Sequence, residues 1–140
     1  MTDHIRHNPK ATLYNIIKIV ISNHPNVIFA YLYGSYLYSN TYNDIDIALF
    51  AKSDIDPFLL SADLKIALSE KTGIAPDSFD VRVINHLLTK GDLFSLLYLK
   101  NLMEEGTLLV DNDFSIRSDF IEAYSMKYRE CEGLISEVVA

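Results

Sequence analysis

A chain of 140 residues with 49% hydrophobic content, nine Tyr and seven Phe carries enough apolar material to fold around its own core, which excludes a disordered tail. Its net charge is −7, and its 12 Lys and Arg are scattered, so extended nucleic-acid binding, which needs a basic face, is disfavoured; a basic protein partner, or a nucleotide reached through a metal, fits better. No apolar run approaches the ~18 residues of a membrane helix, residues 1–7 lack the basic-then-apolar order of a secretory signal, and the lone Cys131 leaves no internal disulfide, so a cytoplasmic setting is expected.

Residues 1–10 are polar, end in Asn8-Pro9 and are expected to form a loose arm ahead of a single domain over 11–140. Leu13, Ile16, Ile17, Val20 and Ile21 recur at helical spacing and predict a helix over 11–23, stopped by Asn23-His24-Pro25-Asn26. A β-prone run over 27–33 predicts the first strand, which Gly34 ends, and residues 35–39 are expected to begin a short helix. The second strand is expected over 44–50, where Asp44 and Asp46 share one face and Ile45 and Ile47 the other. Same-face carboxylates lie about 6–7 Å apart along a strand. At an effective dielectric near 20 they repel by about 2–3 kcal/mol, which a cation between them would relieve.

Asp56 as N-cap and Pro57 at the first helical position open a helix to Lys71, closed by Thr72-Gly73. Residues 79–84 predict a third strand with Asp80 and Arg82 on one face and Phe79, Val81 and Val83 on the other. A helix follows Gly91-Asp92, with Leu93, Leu96, Leu97, Leu99, Leu102 and Met103 apolar and Gly106 at its end. Residues 107–110 form a short strand. Asp113 or Ser115 caps a last amphipathic helix with Phe120, Ile121, Tyr124, Tyr128, Cys131, Leu134, Ile135 and Val138 as its stripe. The expected fold class is α/β (α+β), a small mixed β-sheet covered by helices.

These elements place chemistry-bearing residues together. Gly34 lets the backbone approach a ligand closely. Ser35 and the N–H groups after it suit phosphate oxygens. Asp44 and Asp46 are hard oxygen ligands for Mg²⁺, and Asp80 on a later strand offers a third carboxylate. Three carboxylates and two cations form the two-metal arrangement for in-line attack on a nucleotide phosphate, in which a carboxylate can take the acceptor proton. A structural pairing of Asp80 with Arg82 is the alternative for that residue.

Gly34-Ser35, the gap of eight residues, Asp44-Ile45-Asp46-Ile47 and Phe79-Asp80-Val81 resemble the polymerase β-type nucleotidyltransferase superfamily. The small size, Asn85-His86-Leu87-Leu88, the helix ending at Gly106, Thr107-Leu108-Leu109-Val110 and the last helix resemble its minimal nucleotidyltransferase (MNT) antitoxin branch, over about residues 12 to 130. The resemblance implies a sheet of the nucleotidyltransferase type and transfer of AMP from ATP to a tyrosine hydroxyl of a HEPN-type toxin, silencing a ribonuclease. It implies that Gly34 and Ser35 hold the ATP phosphates, and that Asp44, Asp46 and Asp80 bind Mg²⁺ and act in catalysis. Tyr38 and Ser39 stand where the family usually carries a basic residue and a second glycine, and the gap before Asp44 is short; with the three acids intact, an active enzyme is expected. A homo-oligomer or a hetero-oligomer with the toxin fits the same reading. Two rivals remain: nucleotidyl transfer to a small molecule such as an aminoglycoside, and a non-catalytic module that neutralises a partner by contact.

Other candidates have plainer readings. His4 and His7 lie in the expected arm without a third ligand, His24 is a turn residue, and His86 a surface or capping residue. Cys131 belongs to the apolar stripe, and no neighbouring basic residue suggests an activated thiol. Tyr31 and Tyr33 pack in the sheet, and Tyr36 and Tyr38 are read as packing ahead of stacking on adenine.

Overall fold

A computed structural model of the chain describes residues 9–34 and 44–139. The chain order is helix α1 (Pro9–Asn23), strands β1 (Val27–Tyr33) and β2 (Ile45–Ala51), helix α2 (Pro57–Thr72), a 3-10 turn (Pro76–Ser78), strand β3 (Phe79–Val83), helices α3 (Leu87–Lys90) and α4 (Leu93–Glu105), strand β4 (Thr107–Asp111) and helix α5 (Phe114–Val139). Helix α1 starts two residues before the expected position. Residues 1–8, with His4 and His7, lie outside the described residues, as do 35–43 with Ser35, the short helix expected there, Tyr36 and Tyr38.

Among the described residues the strands form one mixed sheet in the order β3-β2-β1-β4. β1 pairs antiparallel with both β2 and β4, whereas β3 lies parallel to β2. A parallel neighbour requires a crossover, and α2 supplies it. Its start is set as the sequence indicates: Asp56 Oδ1 accepts from the N–H groups of Phe58 (2.9 Å) and Leu59 (3.4 Å), with Pro57 behind the cap. Asp92 caps α4 through the N–H of Ser95. Of the two caps open for α5, Asp113 takes the role, accepting from the Ile116 N–H at 3.1 Å.

The sheet is covered on both faces. On one, Ile17 and Ile21 of α1 and Leu60, Leu64 and Leu68 of α2 pack against Ile45, Ile47 and Leu49. On the other, Leu99 and Leu102 of α4 and Phe120 and Tyr124 of α5 pack against Phe29, Tyr31 and Ala48. Phe29 stacks on Phe50 at 5.1 Å, and Phe120 closes on both rings at 5.5 and 5.4 Å. Phe50, Ala48 and Asp46 share this face of β2, so the strand leads from an aromatic core to a carboxylate in two steps of the pleat.

Several expectations are refined. β2 begins at Ile45, with Asp44 just before it. Helix α3 was not expected; it fills the link between β3 and α4, and Gly91 ends it in the left-handed region (φ 60°). On α5, Phe120, Tyr124, Tyr128, Cys131 and Ile135 follow the buried or half-buried line, while Leu134 is 60% exposed; it is one residue, or 100° of turn, from Ile135. The side chain of Val138 lies outside the described ones. Asn85, placed in a family-like ending, also ties strands together. Its amide donates to Ala51 O (2.7 Å) and accepts from Ala51 N (2.8 Å), extending the β2–β3 contact past the end of β3. His24 serves the turn, its Nδ1 accepting from the Asn26 N–H.

Candidate active site

Register assembles the site. Tyr33 of β1 faces Asp46 of β2, and Asp46 faces Asp80 of β3, so three side chains form a row across the sheet. Hydrophobic neighbours fix the orientation: Ile45 and Ile47 are fully buried on the opposite face and hold Asp46 on this one. Asp46 and Asp80 are half-buried, and Asp44, just before β2, is exposed. Gly34 follows Tyr33 in the left-handed region (φ 84°), and a Cβ there would overlap the Asp46 carboxylate. The glycine is required twice, for its backbone conformation and for the close approach.

The charges strain one another. The Asp46 carboxyl has a raised pKa, first through burial, then through the negative charges of Asp80 and Asp44; Arg82 opposes this in part, and a hydrogen bond with Asp80 favours the protonated form. Arg82 Nη2 stands 3.8 Å from Asp80 Oδ2, on side chains 51% and 44% exposed, beyond hydrogen-bond length. A pair this long and this wet leaves Asp80 available. The guanidinium also lies 4.9 Å from the centre of the Tyr98 ring.

Tyr98, from α4, completes the wall. Its hydroxyl is 2.6 Å from that of Tyr33, and the two rings meet edge to face at 5.8 Å. Burial raises the pKa of both hydroxyls, so at neutral pH they stay protonated and act as a hydrogen-bonded prop beside the acids. Tyr98→Phe leaves the Tyr33 hydroxyl without this partner and is expected to cost about 1 kcal/mol. A thermal melt should show this as a fall in Tm of about 4 °C. Tyr33→Phe should give a similar fall, and the double variant less than the sum of the two.

Of the residues expected at the site, the structure brings Gly34, Asp46 and Asp80 together, with Asp44 exposed and near enough for its charge to act on Asp46; Ser35 lies outside the described residues. Among the described residues, no group of three or more His, Cys, Asp or Glu side chains is arranged to hold a metal ion. The donor set nonetheless suits one: the acids are hard oxygen donors, and their mutual repulsion is what a divalent cation neutralises. Sequence reasoning missed Tyr98 and read Tyr33 as sheet packing. The position of Tyr33 next to Gly34 was the one available signal; Tyr98 arrives from a helix that no local pattern ties to the strands.

A glycine turn packed on a strand carboxylate, with a second carboxylate on the adjoining parallel strand, defines a sheet-borne acidic site. Residues 15–115, more than half of the chain, match the family described as Polymerase beta, Nucleotidyltransferase, and the chain belongs to that family of nucleotidyltransferases. No curated protein sequence matches it significantly. Solved structures share the fold. One is a mutant of a toxin–antitoxin complex, MntA–HpeT, with 21% identity over 91% of this chain and 98% of that one, at a TM-score of 0.58. A second is the tri-AMPylated HEPN toxin of Shewanella oneidensis in complex with MNT antitoxin, with 21% identity, 94% and 99% coverage and a TM-score of 0.57. A third is a toxin–antitoxin structure with AMP-PNP, with 22% identity, 91% and 98% coverage and a TM-score of 0.60. No helix among the described residues is long and apolar enough to cross a membrane.

Proposed function

We propose that this nucleotidyltransferase moves AMP from ATP to a tyrosine hydroxyl of a HEPN-type partner toxin in the cytoplasm, and so serves as the antitoxin of a pair. The observation that carries the reading is the position of Asp46, which faces Asp80 across the β2–β3 register and lies against the Gly34 turn. The structures of similar fold, complexes of an antitoxin with a toxin, one of them AMPylated, support the choice of acceptor.

In this reading the Gly34 turn and Ser35 receive the triphosphate, whose close approach only a glycine permits. Asp44, Asp46 and Asp80 would hold Mg²⁺, which when bound offsets phosphate charge and lowers the pKa of a coordinated hydroxyl. The tyrosine oxygen attacks the α-phosphorus; the new O–P bond forms as the bond to pyrophosphate breaks. Asp80, facing solvent, takes the phenolic proton and passes it to water. Tyr33 and Tyr98, neutral and mutually bonded, hold the wall beside Asp46.

The test is transfer itself. The purified protein is incubated with ATP labelled at the α-phosphate, Mg²⁺ and the product of the adjacent reading frame. Label should appear on a tyrosine of that product, and chelation of Mg²⁺ should remove it. Protection of cells from the partner with no change in its mass would instead identify neutralisation by contact. Label on a small molecule alone would identify the third possibility.

A further inference from the structure

Strand β3 carries a cation as well as an acid on the site's face. Phe79, Val81 and Val83 are buried on the opposite face, so the pleat turns Asp80 and Arg82 together toward α4. There the Arg82 guanidinium lies 4.9 Å from the centre of the Tyr98 ring, a contact that holds a planar cation in place and leaves the N–H groups around its rim free to bond. None of those donors makes a hydrogen bond among the described residues, since Asp80 Oδ2 stands 3.8 Å away. Arg117 shows the opposite use. Its Nε donates to Asp111 at 2.8 Å and its Nη1 to the Tyr31 hydroxyl at 3.5 Å, on a side chain 18% exposed against 51% for Arg82. The fold ties one arginine down and leaves the other open beside the acids. The charge of Arg82 acts on Asp46, Tyr33 and Tyr98 alike, so it belongs to the row itself.

We propose that the Arg82 guanidinium receives the nucleotide's α-phosphate, the group that is transferred, through a forked pair of hydrogen bonds to its nonbridging oxygens. This deepens the proposed function and rests on its nucleotide reading. Three observations select the ligand. The open donors form a planar fork, which matches two oxygens on one phosphorus. An acidic side chain offers such oxygens too, but it would arrive among Asp44, Asp46 and Asp80 without a counter-charge, whereas a nucleotide phosphate comes with its divalent cation. The sheet order then chooses the phosphate. Gly34 follows β1 and Arg82 lies on β3, so the two stand on opposite sides of Asp46 on β2. With the outgoing pyrophosphate at the Gly34 turn, the Arg82 side meets the transferred phosphate and the incoming hydroxyl. The nonbridging α-phosphate oxygens carry negative charge before and after transfer, so the contact contributes to nucleotide binding as well as to rate.

The probe is α,β-methylene ATP, which cannot be cleaved at the α-phosphorus, titrated calorimetrically with Mg²⁺ and no acceptor. Arg82→Gln should weaken its binding about tenfold, and Arg82→Lys, which restores charge without the fork, should recover only part of that. Mg²⁺-pyrophosphate, the leaving group alone, should bind the wild type and Arg82→Gln equally. Arg117→Gln should lower the Tm and leave analogue binding unchanged. Melts establish that each variant is folded, and Arg82→Lys, which keeps the charge beside the acids, carries the test if Arg82→Gln does not fold. The proposal is overturned by any of three results: analogue binding indifferent to both Arg82 variants; an equal loss of pyrophosphate binding, which would move the contact to the phosphate tail; or full recovery by lysine, which would reduce Arg82 to a point charge. A wild-type protein that binds no analogue would overturn the nucleotide reading and this contact with it. Indifference to Arg82→Gln with label still reaching the partner would overturn the contact alone and leave AMP transfer standing.

Discussion

Asp46→Asn should lower AMP transfer about a thousandfold, the equivalent of ~4 kcal/mol of transition-state stabilisation, while the metal-free protein becomes more stable. Both effects have one cause. Asp46 sits at the junction of three acids, and burial and its neighbours raise its pKa. The folded state therefore holds the Asp46 proton more tightly than the unfolded chain. Stability contributed by this group is present at low pH and is lost as pH rises past the usual value of 3.8 through the raised folded value. Asparagine keeps the shape and removes the charge. Melts of the metal-free proteins at neutral pH should show a higher Tm for the variant, and the difference should shrink as the pH is lowered through the carboxylate range. An equally active variant, or one that melts lower at every pH, would contradict this account of the site.

Gly34→Ala tests the approach of backbone to carboxylate, and Gly73→Ala is its control. Both glycines are left-handed, with φ of 84° and 76°. A Cβ at Gly73 meets nothing within 4 Å, whereas one at Gly34 overlaps Asp46 Oδ2. Alanine in that conformation costs roughly 1–2 kcal/mol at either position. The obstacle at Gly34 is the end of a short side chain, which can swing aside, so the two variants should lose similar stability. Function should separate them. A carboxylate displaced by about 1 Å costs about a hundredfold in rate, so Gly34→Ala should lose transfer while Gly73→Ala keeps it. Melting and single-turnover transfer on the pair would settle the point.

What could be read in advance follows the physics of each element. Alternation gave Asp46 its face because Ile45 and Ile47 had to be buried; both are fully buried. Asp56-Pro57 announced α2, since capping is chemistry within one turn of chain. The glycine turn and the acid pair carried the nucleotidyl-transfer reading, and family membership followed over residues 15–115. The neighbours of those acids were harder to read. Arg82 looked like a partner for Asp80, and its place over the Tyr98 ring depends on how α4 packs across the sheet. The Tyr33–Tyr98 hydrogen bond joins residues 65 apart in sequence, a separation no periodicity spans. The place of β3 at the edge of the sheet was equally hidden, because hydrophobic pattern assigns strands to faces but says nothing of which strand lies outermost.

The parallel pairing of β2 with β3 also sets when the enzyme becomes competent. Asp46 and Asp80 sit side by side, yet the whole of α2 lies between them in the chain. Such long-range pairing is slow, because a large loop must close before any contact rewards it. A growing polypeptide that has emerged only through β2 presents Asp44 and Asp46 without the third acid. On the proposed function, catalytic power therefore appears only with completion of the sheet, because a chain that ends before β3 lacks Asp80 beside Asp46.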